Sequence, residues 1–156
     1  MRLDYINPII DSAVNVLADF TSAPVKRGTM QLQQGSTRNN DVAAIIGIAG
    51  EVEGRIILEM GRDTALSMAG MMNDEQFTEL SPLALDTLME LANVMVARAV
   101  SALNDKGYAF RLTPPLIFTG ANLSTFNNLS LETLVIPLYA KAGDMDLNVA
   151  LRLKTI

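Results

Sequence analysis

Glu90 and Asn93 are the two residues whose types and spacing first suggest chemistry. Side chains three positions apart on a helix are surface neighbours, with Cβ atoms about 5–6 Å apart. A carboxylate there can hold a cation, and an amide beside it can both donate and accept a hydrogen bond. The bare Glu-x-x-Asn pattern also fits an ordinary solvated helix face. Two features of its surroundings point to more than solvation. Asn suits the middle of a long helix poorly, because its side chain competes with the backbone for hydrogen bonds. Its neighbours Val94, Ala97 and Ser101 are apolar or small, which fits a docking face better than a solubilising one.

The residue types that are missing narrow the chemistry further. The chain has no Cys and no His. Thiol nucleophiles, Ser-His-Asp triads, histidine general bases and ordinary zinc sites therefore cannot be built from it. What remains is carboxylate, amide, hydroxyl, lysine, or a metal held by oxygen. Asp63, Asp74 and Asp86 read as helix caps and solvated helix-face charges, not as a metal site. The formal net charge of −5 comes with 12 scattered Lys and Arg, which argues against nucleic-acid binding and against a polybasic membrane patch. No apolar run is long enough to cross a bilayer and no signal-peptide pattern opens the chain, so a cytoplasmic location is expected.

The elements that must position Glu90 and Asn93 can be read from caps and periodicity. Ser81-Pro82 forms a helix start and Asn104-Asp105-Lys106-Gly107 a glycine stop. Between them Leu85, Leu88, Ala92, Met95, Val96, Ala99 and Leu103 make one apolar face. Asp86, Glu90, Asn93, Ala97, Ser101 and Asn104 line the other. An earlier helix is predicted to start at Asn7-Pro8 and to bury Ile6, Ile10, Ala13, Leu17 and Phe20. A further helix follows Gly61-Arg62-Asp63.

Strands are predicted around 29–33, at Val42–Ala49 and at Arg55–Met60, the last two joined through Gly50-Glu51-Val52-Glu53-Gly54. A polar loop is expected over Ser36–Asn40. A second hairpin, Leu131–Ala140 with Leu147–Leu153, turns at Lys141-Ala142-Gly143-Asp144, and its alternating last strand suggests a sheet edge. The nine methionines read mainly as core filling. Helix, extended segment and hairpin occur twice, and superposing Asn15 on Asn93 aligns Ser12–Val16 with Glu90–Val94. The expected fold is α/β, an α+β sandwich of pseudo-symmetric halves with helices on one large mixed or antiparallel sheet. It forms a single domain over residues 1–156.

Three stretches, in order, resemble the CheX/CheC family of chemotaxis phosphatases. They are the helix Met89–Ala99, the hairpin Asp41–Met60 with Gly47, Gly50 and Gly54, and the helical Asp63–Met72. The resemblance implies a CheC-like fold and a phosphatase acting on the phospho-aspartate of a CheY-like response regulator. It places Glu90 and Asn93 at the family's catalytic positions. Asn93 would then orient a water for in-line attack on phosphorus, and Glu90 would pair with a lysine of the regulator. The divalent metal, Mg2+, would belong to the regulator, so no cofactor of the chain's own is implied. Positioning would supply the acceleration.

Ser12 stands where two-site members of the family carry a second Glu, with Asn15 retained, so one active site is expected, as in CheX-like members. Ala97-Arg98 replaces the Gly-Asn that often follows the motif, and Arg98 could alter which regulator fits. A homodimer is also expected by resemblance. The competing reading is a non-catalytic CheC-like binding module or dimeric scaffold in two-component signalling.

Overall fold

The structure is a computed structural model that describes residues 3–33, 40–120 and 132–153. Helix α1 (Leu3–Thr21) leads into two short strands, β1 (Lys26–Arg27) and β2 (Gln31–Gln33), then a hairpin of β3 (Val42–Gly50) and β4 (Val52–Met60). Helix α2 (Arg62–Asn73) separates this half from the next. The second half repeats the order. It runs through α3 (Pro82–Asp105), short strands β5 (Phe110–Leu112) and β6 (Leu116–Thr119), and a hairpin of β7 (Thr133–Ala140) and β8 (Gly143–Leu153). The expected two-fold recurrence is therefore present in the element order.

Every described strand pairing is antiparallel, and the long strands run in the order β7, β8, β4, β3. Strands β4 and β8 meet at the centre, in register from Val52 opposite Leu153 to Met60 opposite Met145. Strands β1 and β2 lie on the outer edge of β7, while β5 and β6 lie on the outer edge of β3. Each half thus lends its short strands to the hairpin of the other. This arrangement corrects the expectation of an edge position for the last strand. In β8 the polar members of the alternation, Asp146 and Asn148, are only 3% exposed each. Asn148 donates its side-chain amide to the Ile57 carbonyl at 3.4 Å, so this polar residue finds its partner inside the sheet rather than in water.

One face of the sheet carries Val42, Ala44, Ile46, Ile48, Ile56, Leu58, Ile136, Leu138, Leu147 and Val149, all buried. The helices close over it with Ile6, Ile10, Ala13, Leu17, Leu88, Leu91, Ala92, Met95 and Leu103, giving one contiguous core. Met60, Met68, Met95 and Met145 are buried in it, as core filling requires. No helix among the described residues is long and apolar enough to cross a membrane.

Several boundaries differ from the sequence reading; the last strand, for one, starts at Gly143 and not at Leu147. Helix α1 begins at Leu3 and carries Pro8 inside it. Burial of Tyr5 and Ile6 against the sheet, with Tyr5 edge-on to Tyr108 and Phe110 at 4.7 and 5.2 Å, extends the helix backwards past the proline. Pro8 lies in the second turn, where it removes one intrahelical backbone bond, and the burial of Tyr5 and Ile6 offsets that loss. The first hairpin is also tighter than Gly50–Gly54 suggests, since β4 resumes at Val52. Gly54 is therefore a strand residue. A Cβ there would sit 1.9 Å from the Ala150 carbonyl oxygen, so its glycine serves the close approach of β8 rather than the turn. The polar loop expected over 36–40, apart from Asn40, and Leu131 of the strand expected from there lie outside the described residues.

Candidate functional site

Helix α3 is fixed at three points along its length. Ser81 caps it, its hydroxyl accepting the Ala84 backbone N–H at 3.2 Å, with Pro82 in the first turn. One turn further on, Thr87 is buried, donates to the Leu83 carbonyl at 2.8 Å and accepts the side-chain amide of Asn73 at the end of α2. At the far end, Gly107 adopts a positive φ of 87° and the Tyr108 N–H returns to the Leu103 carbonyl at 3.0 Å. Leu88, Leu91, Ala92, Met95, Ala99 and Leu103 hold the inner face against the core. The rotation of the helix is set by these contacts, and with it the direction of everything on the outer face.

That outer face is as the periodicity predicts. Asp86, Glu90, Asn93, Ala97, Ser101 and Asn104 are all exposed. Glu90 and Asn93 make no side-chain hydrogen bond or ion pair with any other described residue. A carboxylate and an amide thus stand side by side on a rigid helix, with their bonding capacity unspent. They can engage a cation and a water or phosphoryl oxygen brought by a partner.

Helix α1 packs alongside α3 and presents the equivalent stretch differently. Asn15 is exposed, but Ser12 is buried and donates its hydroxyl to the Pro8 carbonyl at 2.7 Å. No carboxylate stands beside Asn15 at the position matching Glu90. Between the two helices runs a groove of about 490 Å3, lined by Ser12, Asn15, Val94, Ala97, Arg98 and Ser101 among others. Arg98 reaches across it to α1, its Nη1 lying 2.7 Å from Asp19 Oδ2. This interhelical pair is invisible in the sequence, where the two residues are far apart.

Asp63, Asp74 and Asp86 are exposed and lie on different parts of the helices, as caps and face charges. Among the described residues no group of three or more acidic side chains is placed to hold a metal ion.

The profile of the family described as "Chemotaxis phosphatase CheX" matches residues 42–139, most of the chain. The chain belongs to the CheX family. The curated CheX protein of Thermotoga maritima, described as a CheY-P phosphatase, is 25% identical over 148 residues, covering 94% of this chain and 95% of that protein. Among solved structures, the CheX of Borrelia burgdorferi, in a complex with CheY, BeF3 and Mg2+, superposes with a TM-score of 0.83. It is 32% identical, across 97% of this chain and 99% of that one. A CheC-like protein of a Shewanella species superposes with a TM-score of 0.88 at 25% identity, covering 97% and 99% of the two chains. The CheX match includes α3 with Glu90 and Asn93, and also the hairpin β3–β4 that supports it.

Proposed function

We propose that this chain is a protein phosphatase that hydrolyses the phospho-aspartate of a CheY-like response regulator, using Asn93 and Glu90 of α3. The observation that carries the reading is the exposed, unengaged Glu90–Asn93 pair on a helix fixed at both ends. Membership of a family of chemotaxis phosphatases supports it. So do a relative described as a CheY-P phosphatase and a similar structure solved in complex with CheY.

In this reaction α3 docks over the regulator's phosphorylation site. Glu90 pairs with a regulator lysine and fixes the angle of approach. Asn93 enters beside the acyl phosphate, where its carbonyl oxygen accepts a hydrogen bond from the water and its NH2 donates one to a phosphoryl oxygen. The water is thereby held in line with the bond to the aspartate oxygen. The water oxygen bonds to phosphorus, the bond from phosphorus to the aspartyl oxygen breaks, and inorganic phosphate and free carboxylate leave. An acyl phosphate is reactive already, so orientation is the main contribution asked of the phosphatase. The divalent metal is the regulator's, and the chain brings no cofactor of its own. The proposed setting is the cytoplasm, where such regulators work.

The test is the decay of a phosphorylated CheY-like regulator from the same organism with wild type and with Asn93→Ala. Wild type is expected to speed decay and the variant to leave it at the regulator's own rate, with its circular dichroism spectrum unchanged because Asn93 is exposed. Decay unaffected by wild type, across several regulators, would move the assignment to a binding module without hydrolysis. We also propose a homodimer, which sedimentation equilibrium would show as twice the chain mass; a monomer mass at micromolar concentration would remove that part of the reading.

A further inference from the structure

We infer that Arg98 is a specificity-determining residue of the docking face, held in reserve by Asp19 and taken over by an acidic side chain of the regulator. The inference rests on the phosphatase reading and extends it to the groove beside the proposed active residues.

Three observations carry it. The first is position. Arg98 lies eight residues beyond Glu90, about 12 Å further along the same helix. It lines the groove between α1 and α3 that continues from the proposed docking face. The second is the weakness of its present bond. Arg98 and Asp19 side chains are 45% and 61% exposed, and pairs this open to water are worth about 1 kcal/mol or less. The third is unspent capacity. A guanidinium carries five N–H donors, and Asp19 is the one ion-pair partner of Arg98 among the described residues. Apart from Asp105, the other lining residues, among them Ala97, Val94, Ser101 and Asn15, are uncharged, so Arg98 is the cation that a partner entering there meets.

The geometry therefore fits an acidic side chain near the regulator's phosphorylation site. As α3 docks, that carboxylate takes the place of Asp19 on the guanidinium. The exchange replaces an exposed pair with one partly shielded by the interface, where the same charges attract more strongly. Asp19 is then a competitor, orienting Arg98 in the free protein and opposing its capture.

Competition gives the two residues opposite signs, which a purely structural interhelical staple does not. The experiment measures how the decay rate of the phosphorylated CheY-like regulator depends on its concentration, for wild type, Arg98→Ala, Asp19→Ala and the double variant. Arg98→Ala is expected to raise KM about fivefold with little change in kcat, the equivalent of about 1 kcal/mol of lost docking. Asp19→Ala is expected to lower KM two- to fivefold, and to have no effect in the Arg98→Ala background. Shifts of KM in the same direction for both single variants would overturn the inference. So would unchanged KM, a fall in kcat for both, or an Asp19 effect that persists without Arg98. If wild type itself leaves decay unchanged, the phosphatase reading fails and this inference with it. If wild type accelerates decay but the opposed signs are absent, only the role of Arg98 falls.

Discussion

Glu90 and Asn93 are exposed and bonded to nothing else among the described residues, while the matching position on α1 has been turned inward. Ser12 spends its hydroxyl on the Pro8 carbonyl and is 6% exposed, so Asn15 stands without a carboxylate partner and the chain has one candidate pair. Because Glu90 is free, changing it should alter docking and little else. Glu90→Lys is expected to raise the KM for phosphorylated regulator by about tenfold or more through like-charge contact with the lysine proposed as its partner. The thermal midpoint should be unaltered, since the position is exposed. A KM unchanged by the reversal would take Glu90 out of the interface.

The placement of this pair was legible in the sequence, because the 3.6-residue period alone puts positions 86, 90, 93, 97, 101 and 104 on one side of α3. The roles assigned to the pair were not legible from spacing. They came from resemblance and now rest on family membership and the proposed chemistry. The Arg98–Asp19 bond was not legible either, since it depends on how two helices distant in sequence lie against each other.

At the scale of elements, what could be read was whatever carried its own local signal. Helix α3 begins at Ser81-Pro82 and stops before Gly107 because a cap, a proline and a glycine in positive φ are local devices, and the structure uses each of them. Proline misled at the first helix for a physical reason. Pro8 resembles a helix start, but the burial of Tyr5 and Ile6 adds a turn before it. Strands β5 and β6 went unread because they are short and flank Pro114-Pro115, leaving too few residues to show a period.

Their pairing is instead a tertiary matter. Between them Thr113 exchanges bonds with Gly47, its hydroxyl accepting the Gly47 N–H at 2.8 Å and its own N–H donating to the Gly47 carbonyl at 2.9 Å. A Cβ on Gly47 would meet the Thr113 side chain at 3.2 Å, so this glycine marks a contact between segments distant in sequence. The central place of β8 is a similar case. Alternation of apolar and polar residues predicts one wet face only when the polar residues find water, and Asp146 and Asn148 do not.

On the scale of the whole molecule, the two sheet faces do different work. The face under the helices is apolar across the four long strands, and it fixes α1 and α3 and so the proposed docking face. The opposite face contains buried polar groups from the two central strands. These are Arg55 and Glu59 of β4, and Asp146 and Asn148 of β8. Asn40 joins this group, donating to Glu59 at 3.2 Å and to Asp146 at 3.5 Å across the pseudo-symmetric centre, where Glu59 and Asp146 are direct cross-strand partners.

Arg55 stands apart from that network. It lies opposite Gly47 on one side and Ala150 on the other, is 9% exposed, and leaves Nε and Nη2 without a hydrogen-bond partner. Burial also lowers its pKa from the ordinary arginine value, the mark of a charge held where it is poorly solvated. Two unsatisfied donors on a buried cation cost stability, commonly about 1–3 kcal/mol per buried polar group. An unbranched apolar side chain can fill much of the same volume without that cost. Arg55→Met is therefore expected to raise the free energy of unfolding by about 1–3 kcal/mol in urea titration. Regulator decay should be unchanged, since the helices lie on the opposite face. A loss of stability instead would show that the guanidinium is engaged in the folded protein and that this face depends on its charge.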